Sequence, residues 1–221
     1  MAPPSKVWQA LVDLVRTGEL QHHLRVSLQR VGIGLAIGIT IGVVLALVAG
    51  LFRLGEDLID GPMQILRSLP VLALVPLMIV WLGIGEEPKI ALIALGVTFP
   101  VYINTFSAIR NVDARLVESS ATFGLGRAGL IRHVILPGAL PGFFTGLRFA
   151  FGISWLVLVV SEQVNATSGI GYLVMTAREF LRTDIIVVGL LVYGALGFVS
   201  DGIVRLLERR ALSWRPSFSG T

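Results

Sequence analysis

The stretch RNVDARLVESSATFGLGRAGLIRHVILPGALP, residues 110–141, decides the fold. It is a long polar interruption between hydrophobic runs, and it carries a fixed pattern: Glu118-Ser119-Ser120, then Gly124, then Val134-Ile135-Leu136-Pro137. Asp113 to Phe123 reads as a short helix with an acidic first turn, which suits the positive end of the helix dipole. Gly124 can stop that helix in a left-handed conformation without a Cβ penalty. A second short helix from Arg127 would set Leu130, Ile131 and Val134 on one face before Pro137 ends it. Two short amphipathic helices have little core of their own to bury, so their natural use is as a docking surface for a partner's groove. Gly124, Gly126 and Gly129 also match a G-x-G-x-x-G dinucleotide fingerprint. That fingerprint needs a preceding buried strand and a following βαβ unit; neither is present, and the reading is rejected.

Composition sets the class. The 221 residues are 54% hydrophobic and 14% charged, with a mean hydropathy of +0.82. A soluble domain carries about 25% charged residues, so this is an all-α polytopic membrane protein. The net charge of +4 is better explained by Lys and Arg at cytoplasmic helix ends than by nucleic acid. Cysteine is absent, which excludes disulfides and cysteine-based metal or nucleophilic chemistry. The first apolar run begins only at Val31, so no signal peptide is expected.

Residues 1–30 are polar and mixed. Trp8, Leu11, Val12 and Val15 have helical spacing, which predicts an amphipathic helix lying at the interface. His22 and His23 are adjacent and point to different sides of a helix, which argues against a metal pair. Val31 to Phe52 holds no charge and is long enough to span. In it Gly34, Gly38, Gly42, Ala46 and Gly50 recur every four residues, a small-residue stripe for close helix contact. Arg53 to Arg67 reads as a short polar connection. The second span is Leu69 to Ile84, kinked by Pro70 and Pro76. Glu86 to Lys89 is a turn, and Ile90 to Ile109 is the third span. Asn104 on its second half either bonds across helices or faces a path.

Gly142 to Val160 is the fourth span. It includes Arg148, which at a bilayer centre would cost roughly 2.5–3.5 kcal/mol. It therefore either snorkels or pairs with an acid at the helix end, or it meets an anionic solute. The loop SEQVNATSGIGYLVMTAREFLRTD, residues 161–184, has glycines for a tight turn before a short helix. Ile185 to Val204 is the fifth span, with Asp201 and Arg205 placed to pair four residues apart. The chain divides into residues 1–30, a membrane domain 31–208, and a basic tail 209–221.

The 110–141 pattern resembles the "EAA" loop of ABC-importer permeases, with Ser119 and Ser120 in place of alanines and Val134 in place of isoleucine. The segments around Leu72–Leu77 and Trp81–Glu86, and Ser168–Leu173 with Ala177–Leu181, resemble the nitrate/sulfonate/taurine group, aliphatic sulfonate permeases above all. The resemblance implies a type I permease fold of about five spans here. The family core usually has one more at its N-terminus, and the segment Ala2–Trp8 resembles the part just after it. A shortened start or a five-span variant is therefore expected.

It also implies a role: passage of a small anionic organic solute, with aliphatic sulfonates first. Taurine, nitrate, riboflavin or a thiamine precursor are alternatives, and a non-transporting paralogue is a third reading. The coupling residues would be Glu118, Ser119, Ser120, Ala121, Gly124, Leu130, Ile131, Val134, Leu136 and Pro137. Residues of the path or outer gate would be Pro76, Asn104, Arg148, Glu162, Asn165, Gly169 and Gly171, although a solvated loop accounts equally for Glu162 and Asn165.

The implied partners are an ABC ATPase, a periplasmic or lipid-anchored solute-binding protein, a second permease copy and membrane lipids. No cofactor is expected in this chain, because it lacks the G-x-x-x-x-G-K-[ST] phosphate loop and ATP would bind the partner. A membrane-embedded enzyme would need His, Asp or Glu clustered in the spans, and the spans hold almost none. The motif loop and the C-terminus are expected in the cytoplasm.

Overall fold

The computed structural model of the chain describes residues 2–214, without the side chains of Ala121 and Asn165. Of the expected tail, residues 215–221 lie outside the described residues, whereas 209–214 are described. All regular elements among those described are helical: α1 (Pro4–Arg16), α2 (Glu19–Leu51), α3 (Arg53–Ser68), a 3-10 turn (Val71–Leu74), α4 (Val75–Leu82), α5 (Glu87–Arg110), α6 (Ala114–Thr122), α7 (Arg127–Leu130), a π turn (Ile131–Ile135), α8 (Leu136–Asn165), α9 (Ile170–Glu179) and α10 (Thr183–Ala211). Four rods, Glu19–Leu51, Glu87–Arg110, Arg127–Val164 and Thr183–Ala211, are long and apolar enough to cross a membrane. A fifth crossing is possible if the pair Arg53–Ser68 and Val71–Leu82, bent by 85°, counts as one.

The central helix is α5, packed along its length between α2 and α8. The small-residue stripe makes this contact. A Cβ at Gly34 would meet the Ile93 side chain, one at Gly38 would meet the Ala94 carbonyl and Val97, one at Gly42 would meet Thr98 O and Val101, and one at Gly50 would meet Ile109. These contacts advance in step along both helices, so α2 and α5 run parallel. On the other side Gly142 faces Ala108 and Gly146 faces Asn104, while Gly96 faces Ile153 and Val157, so α8 runs antiparallel to α5.

Two parallel rods joined in sequence require the chain between them to cross back. The ends of that segment agree. Near its start Glu56 pairs with Arg110 at the motif-loop end of α5 (3.1 Å). At its finish Glu86 pairs with Arg30 at the far end (2.5 Å). The broken pair is therefore the return crossing.

This corrects the expected second span. Arg53 to Arg67 is not a polar connection but a 16-residue amphipathic helix that forms the first half of the crossing. Leu69 to Ile84 supplies only a bend, a 3-10 turn and the eight-residue α4. Pro70 lies at the bend and Pro76 opens α4, where its missing N–H is harmless.

Two other boundaries move. α2 begins at Glu19 rather than Val31, because the polar face of its first turns is buried by partners described below. Pro137 does not end the second loop helix. It occupies the first turn of α8, and the π turn before it loosens the backbone enough to carry the helix through. Arg127–Val164 is consequently one 38-residue rod.

Candidate functional site

At the motif-loop end, α6 starts at Ala114 because the Asp113 side chain accepts the Arg115 N–H at 2.9 Å, an N-cap. The expected acidic first turn is thus a capping aspartate just outside the helix. α6 ends at Gly124, whose φ of +75° is the left-handed conformation expected of it. The Leu125 N–H closes onto the Ser120 carbonyl at 3.1 Å, the six-to-one bond of a glycine-terminated helix.

The two serines of the motif turn inward on their own helix: Ser119 Oγ bonds Arg115 O (2.6 Å) and Ser120 Oγ bonds Val117 O (2.7 Å). Ser120 is buried while Ser119 is exposed. The exposed face is apolar instead. Leu116 is 56% and Phe123 85% exposed, seven residues apart and on one stripe of α6. The sequence reading passed over these two. An apolar residue either side of the motif, at helical spacing and with no core to enter, was the available signal.

Behind α6 lies a groove of about 490 Å³ lined by Leu51, Ile109, Arg110, Glu118, Arg127 and Ile131 among others. The Glu118 carboxylate faces it without bonding any described residue. Arg127 closes its rim, 5.5 Å above the Phe52 ring and 3.4 Å from the Leu51 carbonyl. Leu130, Ile131 and Val134 are half-buried, and Leu136 and Pro137 sit in the first turn of α8. α7 is therefore continuous with a membrane-crossing rod.

At the far end a polar knot joins α2, α8, the start of α9 and α10 to Glu86, the residue before α5. The Glu162 carboxylate is fully buried. It accepts from Ser27 Oγ (2.8 Å), Arg30 Nη1 (2.7 Å), the Gly171 N–H (2.8 Å) and Tyr193 Oη (3.4 Å). Arg30, 2% exposed, also donates to the Ser168 carbonyl (2.6 Å) and to both oxygens of Glu86. His23 Nδ1 accepts the Gly169 N–H (3.0 Å), and Ser27 Oγ accepts the Ile170 N–H (2.9 Å).

Gly169, at φ +118°, and Gly171 are glycines because a Cβ at either would overlap Glu162. Glu162 is thus neither solvated nor free; it fixes the turn 168–171 to α2. Arg30 holds the Glu86 carboxyl below the usual carboxylate range, with help from Lys89. Arg30 and Ser27 were not singled out from sequence, and His23 was weighed there only as half of a metal pair.

The other expected path residues lie apart. The Asn104 amide donates to Pro100 O of the same helix at 2.8 Å rather than across helices. Arg148 takes the ion-pair alternative, bonding Glu208 (2.5 Å) and approaching Asp201 (3.5 Å). Asp201 pairs with Arg205 as expected, at 2.6 Å. The side chains of Ala121 and Asn165 lie outside the described residues. Among the described residues no group of three His, Cys, Asp or Glu could hold a metal ion.

Comparison with known proteins points one way. Residues 38–213 match the family described as the binding-protein-dependent transport system inner membrane component. The chain is 50% identical, over 97% of its length and 82% of the relative's, to the putative aliphatic sulfonates transport permease protein SsuC of Escherichia coli (strain K12). It is 43% identical to the protein of that name from Bacillus subtilis (strain 168), covering 94% of this chain and 75% of that one. It is 34% identical to the taurine transport system permease protein TauC of Escherichia coli (strain K12), covering 97% and 80%. In fold it is similar to a chain of an amino acid ABC transporter (TM-score 0.74, 17% identity, 90% of this chain and 97% of that one). A second fold match is a chain of the MetNI methionine ABC transporter in inward-facing form (TM-score 0.60, 21% identity, 93% and 99%).

Proposed function

The chain belongs to the family of inner-membrane components of binding-protein-dependent transport systems, as a multi-pass permease subunit of an ABC importer, and from that premise we propose that its solute is an aliphatic sulfonate. The single observation that favours this solute over taurine is the higher identity to the two sulfonate permeases than to the taurine permease. Growth on ethanesulfonate as sole sulfur source, with and without the chain, tests it. Growth that does not depend on the chain overturns it.

The ATPase partner docks on the α6–α7 elbow, with Phe123 and Leu116 entering its groove. The support is an apolar stripe exposed on a helix that has no core of its own. This elbow and the end of α10, with Arg209 and Arg210, face the cytoplasm, where basic helix ends belong. The far end, with the turn 168–171, faces the solute-binding protein. A second copy of the chain completes the path, since a single copy contains no internal repeat. The chain binds no nucleotide itself; ATP acts through the partner.

ATP binding draws the elbows of two copies together, the 127–164 rod tilts, and the path opens outward; hydrolysis resets it. Thiol crosslinking from Phe123→Cys or Ser119→Cys should trap the ATPase in whole cells. Ser120 is a poor probe because it is buried. An empty crosslink from both exposed positions would count against the docking surface.

A further inference from the structure

We infer that Arg67, at the break of the α3–α4 crossing, contacts the anionic group of the solute inside the membrane. This rests on the permease reading above. The argument begins with depth. α5 runs about 36 Å at 1.5 Å per residue, and its midpoint falls at Thr98–Phe99. On one side of Arg67, Met63 packs against Phe99 and Tyr102. On the other side, Val71 lies against Gly96. Arg67 is four residues from each, so it lies level with the middle of the crossing, about 15 Å from either surface of the hydrocarbon. That is too far for the side chain to reach a headgroup.

The second step is satisfaction. Of the other charges in and around this crossing, Glu56 pairs with Arg110, Asp60 accepts from the Tyr102 hydroxyl and Glu86 pairs with Arg30, while Arg53 and Asp57 lie in the first turns of α3, at the motif-loop end beside Glu56. Arg67 is exposed, and among the described residues no carboxylate pairs with it. The negative end of α3 explains an arginine in a last turn, but not one at mid-depth without a counter-ion. Ionisable groups inside a membrane face a bundle interior or a water-filled cavity rather than lipid.

The third step is chemistry. A broken crossing at mid-depth is where transporters place a solute site. The planar guanidinium, with its fork of donors, matches the oxygens of a sulfonate or carboxylate. Arg67 is therefore the charge that a small organic anion meets half-way.

The test uses the absence of native cysteine. Arg67→Cys is made in the full chain and reconstituted in vesicles with its ATPase and binding protein. The introduced thiol is exposed to ethylammonium methanethiosulfonate with ATP, and with ATP plus vanadate. The thiol should react, ethanesulfonate should slow the reaction several-fold, and the attached cation should restore part of the ethanesulfonate uptake. Arg67→Gln should lower uptake about tenfold or more, and Arg67→Lys should lose less, as expected for a charged hydrogen bond.

A thiol that stays inert in both states, while one from Phe123→Cys reacts, places the residue against lipid and overturns the inference. Wild-type uptake in both Arg67→Gln and Arg67→Lys overturns it as well. If the wild-type chain moves no ethanesulfonate, the proposed solute fails instead, and the labelling still decides whether Arg67 borders water.

Discussion

Glu162→Ala is the most demanding test of the far-end knot. It removes a carboxylate that satisfies four donors, with Ser27, Arg30 and the Gly171 N–H all within 3.0 Å. Removing one partner of a buried ion pair costs about 3–5 kcal/mol, because the remaining charge is stranded. Arg30 cannot escape by losing its proton. It does keep both bonds to Glu86, which places the loss at the lower end, about 3 kcal/mol.

On the scale of soluble chains of this size, 1 kcal/mol moves the melting midpoint by about 2–4 °C, so Glu162→Ala should lower it by roughly 6–12 °C. Arg148→Ala is the internal standard. Its pairs with Glu208 and Asp201 are half-exposed, and such pairs are worth about 0–1 kcal/mol. The assay is thermal unfolding in detergent, followed by size-exclusion recovery. The double variant Arg30→Met, Glu162→Leu should lose less than the sum of its parts by about 2 kcal/mol, since it removes both charges together. Equal shifts for Glu162→Ala and Arg148→Ala, or strict additivity in the double variant, would refute the reasoning.

Four further outcomes follow from the same geometry. Gly124→Asp should cut uptake while leaving membrane levels normal. Nothing lies within 4 Å of a Cβ there, so the change acts through the positive φ, a strain of about 1–2 kcal/mol, and through the carboxylate it adds to the elbow; radiolabelled uptake against immunoblot level reads it. Gly38→Ala should destabilise by about 1–3 kcal/mol because its methyl meets α5, whereas Gly32→Ala, with open space around it, should be neutral or stabilising by about 0.5–1 kcal/mol; melting midpoints of the pair check both. Phe123→Ala should weaken copurification of the ATPase without changing the melting midpoint, since the ring touches no core. Glu86 gives a pH test: its folded value is depressed by Arg30, so its stabilisation is complete above the ordinary carboxylate value of about 4.3 and is lost only as pH falls through the lower folded one. The wild-type and Glu86→Gln midpoints should therefore differ above about pH 5 and begin to converge only as pH falls below about 4.

What was legible in the sequence was local. The glycine stripe of α2 announced a close helix contact, and it makes one with α5. Gly124 announced a left-handed stop, which its φ bears out. Asp201 and Arg205 announced a pair by spacing alone. What failed depended on partners far along the chain. α3 reads as a connection because Glu56, Asp57 and Asp60 depress its hydropathy. Asp60 becomes tolerable in a crossing through Tyr102, 42 positions away, with Gln64 donating weakly from its own helix. Arg30 looks like a boundary charge until Glu162, 132 positions on, is brought against it. Pro137 looks like a stop, and the π turn that carries the helix past it has no signature in composition.

These misses share one physical cause, and it bears on function. Hydropathy scores each residue as if it stood alone in lipid, whereas the bundle neutralises polar groups in pairs. Once those pairs are assigned, a leftover charge gains meaning that it lacked in the sequence. Glu56, Asp60, Glu86, Arg30 and Glu162 are each accounted for within the chain. Arg67 is left at the middle of the crossing, beside a bend that breaks the helix, with no carboxylate partner among the described residues, and the counter-charge inferred above comes from outside the chain. In an importer the charge that arrives there from outside is the cargo.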